Sequence, residues 1–169
     1  ILKTYKLALK GQKDRRWKIE HAQIISPEDF DLFNNVVPSV QPTHATSDMY
    51  WAGDRIGKKR LKGAYAFKDL LNKYGSVALG TDFPVERVSP FLTFSAAATR
   101  QDTEGYPKGG FQMENVLTRE ETLRGMTIWA AHSNFEDFVI LNQNIMEVEG
   151  SKIHKTKVVS TFVNGEKVY

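Results

Sequence analysis

No cysteine occurs among the 169 residues, which excludes disulfides, thiolate zinc ligands and a cysteine nucleophile. Histidine is scarce, with four in the chain, and no two of them form a His-x-His pair. No apolar run approaches the roughly 20 residues of a membrane-spanning helix, and the first residues show no signal-peptide core. Neither sign of charge dominates: 23 Lys and Arg against 20 Asp and Glu leave +3. The excess is scattered, so it describes no basic face, and nucleic acid is not an expected partner. Repeats of fixed period and low-complexity segments are also missing. What is present, 41% apolar and 25% charged residues, suits a globular chain of about one domain. It reads as soluble, with the cytoplasm favoured although the missing cysteine does not decide the compartment. Any chemistry must rest on His, Asp, Glu, Lys or hydroxyl groups.

The chain starts Ile1-Leu2-Lys3, without methionine and already in helical character, which leads us to expect a piece of a longer protein. Leu2, Tyr5, Leu7 and Leu9 among lysines make an amphipathic helix closed by Gly11. Trp17 to His21 alternates apolar and polar, as a short strand does. Ser26-Pro27-Glu28-Asp29 then supplies a cap, a proline for the first turn and acids for the helix dipole. A second apolar run, Val36 to Val40, is followed by an expected long loop, Gln41 to Lys59. A helix around Leu61, Tyr65, Leu70 and Leu71 comes next, ending at Gly75. The third run, Ser76 to Gly80, leads through Thr81-Asp82-Phe83-Pro84 to another cap, Ser89-Pro90. Three β-loop-α units in series predict a parallel sheet covered by helices. Beyond a glycine-rich loop, Gln101 to Gln112, the capping box Thr118-Arg119-Glu120-Glu121 opens a helix carrying Leu123, Met126, Ile128 and Trp129. From about Glu136 the pattern becomes antiparallel, with a buried strand at Phe138 to Leu141. Asn164-Gly165 reads as a type I′ hairpin turn.

Each β-loop-α unit carries a polar group just past its strand: His21, His44 and Asp82. Loops at the carboxyl ends of parallel strands share one face, so these distant residues are able to meet. Imidazole and carboxylate are the ligands of hydrolytic zinc sites. Each residue also has a plainer reading. His21 would serve as a hydrogen-bonded strand-end group, His44 as a solvated loop residue and Asp82 as a turn cap. His132 suits a helix C-terminus and His154 a surface turn.

Arg16 to Gln23, then Gln41-Pro42-Thr43-His44-Ala45-Thr46-Ser47-Asp48-Met49 with Asp54-Arg55, then Gly80-Thr81-Asp82-Phe83-Pro84-Val85 stand in this order. Together they resemble the C-terminal part of metal-dependent amidohydrolases, in the subgroup similar to N-substituted formamide deformylase. The likeness continues through Thr118 to Ala131 and the Phe138 to Leu141 strand. It implies an α/β fold: residues 1–135 as the last three units of a TIM-like (β/α)8 barrel, and residues 136–169 as strands of a small β-sandwich domain. By the same likeness His21 is a metal ligand. Asp82 is both a metal ligand and the catalytic proton shuttle. His44 and Arg55 stand near the substrate. The implied reaction is hydrolysis of an amide, cyclic amide or formamide C–N bond by water activated on a divalent metal, zinc for preference.

The chain departs from that family in lacking its His-x-His motif and the other ligands of the first barrel half. His21 and Asp82 alone fall short of the three protein ligands of a catalytic zinc site. A closed barrel also needs about 250 residues. The expectation is therefore a fragment that is inactive alone, holds no metal stably and self-associates through exposed barrel edges. Its parent would act on a small-molecule substrate. A noncatalytic regulatory or binding protein that retains the fold, and a small independent α/β domain, are the alternatives. The turn at Ala131 to Phe138 is shorter than the family's.

Overall fold

The computed structural model describes residues 1–12, 15–131 and 137–169. Its first sheet is built from β1 (Lys18–Glu20), β2 (Val37–Val40) and β3 (Ala78–Leu79), in the order β1-β2-β3. Both pairings are parallel, with Ile19 opposite Pro38 and Val40 opposite Leu79. All four residues of β2 are buried, as a central parallel strand covered on both faces requires. A proline in such a strand lacks a ladder donor. The register accommodates it: Val37 donates to Trp17 on the β1 side, so the nitrogen of Pro38 faces β3, whose pairing begins only at Ser39.

The helices are α1 (Leu2–Leu9), α2 (Pro42–Asp48), α3 (Ala52–Leu61), α4 (Phe67–Tyr74), α5 (Pro90–Thr99), α6 (Arg119–Met126) and α7 (Ile128–Ala131). Phe33, Val40, Tyr65, Phe67, Leu70, Val77 and Leu117 form the main core between sheet and helices. A smaller cluster of Phe94, Ile145 and Ile153 joins α5 to the 3-10 helix Gly150–Lys155. Arg100 is fully buried beneath the glycine-rich loop. Its guanidinium donates to the carbonyls of Phe111 and Tyr65 and to Gln112 Oε1, at 2.8, 3.2 and 3.2 Å, and lies over the rings of Phe67 and Phe111. Burial pushes its pKa down to about 10, so it remains a cation at neutral pH.

Several expectations need correction. Residues 41–59 are not a long loop but hold α2 and most of α3, because Pro42 at the first helical position and the Asp48-to-Trp51 turn start two short helices in succession. The segment after Ser26 is a 3-10 helix, Pro27–Asn35, with no side-chain cap from Ser26. Helix α3 ends at Leu61, and Tyr65 lies between helices at φ 53°. There Gly63 approaches so closely that an added Cβ would sit 1.9 Å from the Ile25 carbonyl oxygen. The Thr118 capping box is formed in full, yet its helix breaks at Thr127, and Leu123 and Ile128 are exposed. Phe138–Leu141 is a strand, β4, but three of its four residues are exposed. It pairs antiparallel with β5 (Val158–Val163), which pairs with β6 (Glu166–Lys167). Asn164 and Gly165 between them have φ of 50° and 79°, the positive pair that a type I′ turn demands. His132 and the expected boundary at Glu136 lie outside the described residues. His154 is half-buried on the 3-10 helix Gly150–Lys155.

Candidate metal centre

The three parallel strands end on one side, and the residues that follow them converge. His21 directly follows β1, His44 sits in the first turn of α2 after β2, and Asp82 comes three residues beyond β3. One ligand atom from each lies within 4.8 Å of the others. Two donors bound to one zinc at about 2.0–2.2 Å can be no more than about 4.4 Å apart, so the group is close to the span such an ion needs. Its donor set, imidazole, imidazole and carboxylate, fits a divalent cation of the zinc type.

Backbone geometry shows how these side chains are aimed. His21 and Asp82 both have left-handed backbones, φ 65° and 57°, which cost non-glycine residues energy and persist only where the surroundings enforce them. At His21 the enforcement is visible. Gln23 Nε2 donates to Asp48 Oδ2 at 2.7 Å, Tyr65 OH donates to the same oxygen at 2.9 Å, and Tyr65 N donates to the Gln23 carbonyl at 2.8 Å. The turn after β1 is thus tied to the end of α2. Burial, with the Asp48 carboxylate, pushes the Tyr65 phenol up to about 12, so it stays a donor.

His44 is not in a solvated loop. It is 9% exposed and held between two carboxylates, with Nε2 3.1 Å from Asp82 Oδ2 and Nδ1 3.1 Å from Glu86 Oε1. Its ring lies 5.8 Å from that of His21. Arg55 is elsewhere: it is exposed on α3 and belongs neither to this group nor to the adjoining cleft.

That cleft, about 280 Å³, is lined by Thr43, Ser47, Tyr50, Glu86, Arg87 and Asp102 among others. Thr43 Oγ1 is buried there without a hydrogen-bond partner among the described residues. Tyr50 donates to Asp102 and stacks on Tyr106 at 5.5 Å. Its phenol is raised to about 12, chiefly by that hydrogen bond.

Glu86 and Ser47 were not singled out from sequence, although a signal was there. Glu86 follows Asp82 by four residues, with its N–H bonded to the Asp82 carbonyl, and Ser47 follows His44 by three on α2. Both spacings place side chains on one side of a helical turn.

The amidohydrolase family profile matches residues 4–136. The protein LONG AFTER FAR-RED 3 of Arabidopsis thaliana is 32% identical over 176 residues, covering 96% of this chain and 30% of the plant protein. YtcJ of Bacillus subtilis (strain 168) is 26% identical over 174 residues, covering 94% and 32%. Among solved structures, an uncharacterized metal-dependent hydrolase from Pyrococcus horikoshii OT3 aligns with a TM-score of 0.58 and 31% identity, covering 68% of this chain and 24% of that one. Its counterpart from Pyrococcus furiosus gives 0.57 and 28%, covering 68% and 23%. The chain spans about a third of the length of the curated relatives and about a quarter of the structural ones. With most of its length inside the family profile, the chain belongs to the amidohydrolase family.

Proposed function

We propose that the chain is the C-terminal part of a hydrolase that cleaves C–N bonds in amides, cyclic amides or formamides, in the subgroup similar to N-substituted formamide deformylase. The observation that carries this reading is the convergence of His21, His44 and Asp82 within 4.8 Å after three successive parallel strands. In this reading residues 1–135 supply three units of a (β/α)8 barrel, and residues 136–169 supply strands of a small β-sandwich domain. His21 and Asp82 hold a divalent metal, zinc by donor type. The rest of a longer protein completes the barrel, so the chain alone is inactive and self-associates through its open strand edges.

A divalent cation bound there would polarise the scissile carbonyl and lower the pKa of a water molecule towards about 7. The chain's own groups do the rest. Asp82 takes the proton of the attacking water and returns it to the leaving nitrogen, which cannot depart as an anion. The half-buried surroundings of Asp82 keep its carboxylate beside His44 rather than in bulk water. The cleft beside Glu86 receives the small-molecule substrate, with Arg87 and the hydroxyls of Thr43 and Ser47 at its wall. Arg55 contributes, in this reading, only from the outer face of α3.

Turnover of an amide, a cyclic amide and an N-formyl amine by the full-length protein, before and after Asp82→Asn, tests the reading. Asparagine is nearly isosteric, tolerates the left-handed backbone of position 82 and cannot act as a base. The expected result is a loss of at least about 100-fold in turnover with the thermal midpoint nearly unchanged. Wild-type turnover in the variant would defeat the proposal.

A further inference from the structure

The small net charge hides one dense group of cations. Four of the five residues 58–62 are basic, Lys58, Lys59, Arg60 and Lys62, and all four are exposed at the end of α3. None of them has an ion-pair partner among the described residues. Like charges this close repel one another, a cost that an anionic partner offsets. The backbone bends to present them. Gly57, at φ 75° and ψ 158°, interrupts α3 in a conformation open essentially to glycine alone. Arg60 Nε reaches back across the break and donates to the Ile56 carbonyl at 2.8 Å, which fixes where its guanidinium stands.

A groove of about 580 Å³ runs between this part of α3 and the turn after β1. It is lined by the apolar Ile24, Pro27 and Ile56 and by Lys58, Lys59 and Arg60, with Glu28 the one acid among its lining residues. Ile24 is 49% exposed. The two sides are tied together: Ile25 N donates to the Gly63 carbonyl at 2.8 Å, and Ile24 forms an antiparallel bridge with Ala64. The groove is therefore preformed, which spares a ligand the cost of ordering it. It shares no residue with the metal centre or with the cleft beside Glu86.

We propose that this groove docks an acidic segment of a partner protein, whose apolar side chains cover Ile24 and Ile56 while its carboxylates meet Lys58, Lys59 and Arg60. Charge complementarity selects the acidic chain, and the apolar lining selects a peptide over a nucleic acid, whose phosphate backbone has nothing to bury there. A concave site also suits a peptide better than the flat surface of a bilayer. This surface is independent of the proposed reaction.

The test measures fluorescence anisotropy of a labelled copolymer of glutamate and leucine with the full-length protein, alongside poly-glutamate, single-stranded poly-dT and phosphatidylserine vesicles. The copolymer should bind at least about tenfold tighter than poly-glutamate, since burying one leucine is worth that much. Binding should weaken as salt rises from about 0.01 M to about 0.15 M, where the screening length shrinks from about 30 to about 8 Å. Lys58→Glu with Lys59→Glu should weaken the copolymer at least about tenfold. Lys152→Glu with Lys155→Glu, the same change of net charge on the 3-10 helix Gly150–Lys155, should not. Ile24→Ser, at an exposed position, should reduce the copolymer to the level of poly-glutamate and leave poly-glutamate unchanged. No binding of the copolymer, equal losses in the two charge-reversed variants, or no effect of Ile24→Ser would overturn the inference. Tighter binding of poly-dT or of the vesicles than of the copolymer would overturn it too, by naming a different occupant.

Discussion

His44 Nε2 and Asp82 Oδ2 are 3.1 Å apart although 38 residues separate them in the chain. The contact joins the first turn of α2 to the loop after β3, so the second and third β-loop-α units share a site. It depends on the β2–β3 register that sets Val40 beside Leu79. A strand slipped by one residue would shift Asp82 by about 3.3 Å along the sheet and separate the pair.

Left-handed backbone at a residue other than glycine costs energy. His21 has φ 65°, a conformation open to glycine without steric penalty. His21→Gly in the full-length protein should therefore leave the thermal midpoint unchanged or raised while zinc affinity falls sharply. Calorimetric melting and chelator competition on the same preparation give both values. A lowered midpoint would show that the imidazole contributes to folding.

Arg100 holds the glycine-rich loop against the core through two backbone carbonyls and Gln112. Arg100→Met keeps much of the volume but leaves buried acceptors unpaired, each at about 1–3 kcal/mol. The urea midpoint should drop by the equivalent of at least about 2 kcal/mol after relief of the buried charge is counted. The 101–112 loop should also become a site of proteolytic cleavage. An unchanged midpoint would show that the carbonyls find other donors.

Lys68 on α4 pairs with Glu121 on α6. Burial pulls the Glu121 carboxyl up, but Lys68 and the Thr118 backbone N–H outweigh it and hold the pKa below its ordinary value. A carboxyl whose folded pKa is depressed adds stability that is fully present above its unfolded pKa, about 4.3, and is lost as pH falls through the folded value. Lys68→Met removes the largest lowering cause. Urea midpoints measured from pH 7 down to pH 3 should fall less steeply in the variant than in the wild type. Parallel curves would refute the assignment.

The sequence by itself determined the local and periodic features. The second and third strands were legible because burial on both faces requires continuous apolar residues, and the first because Trp17 to His21 alternates apolar and polar. The Thr118 capping box and the Asn164-Gly165 turn were legible because their hydrogen bonds and positive φ angles arise within four residues. The ordered motifs also pointed to His21, His44 and Asp82. Only the tertiary structure decided how these groups stand to one another. Whether His44 faced solvent or lay between Asp82 and Glu86 depends on strand register and on α2 forming where a loop was expected. The exposure of Phe138, Val139 and Ile140 was hidden for the same reason: an apolar run states what could be buried, while the neighbouring elements decide what is. Arg100 had no signal at all, since a buried cation becomes intelligible only when the carbonyls and rings around it, from distant segments, are in place.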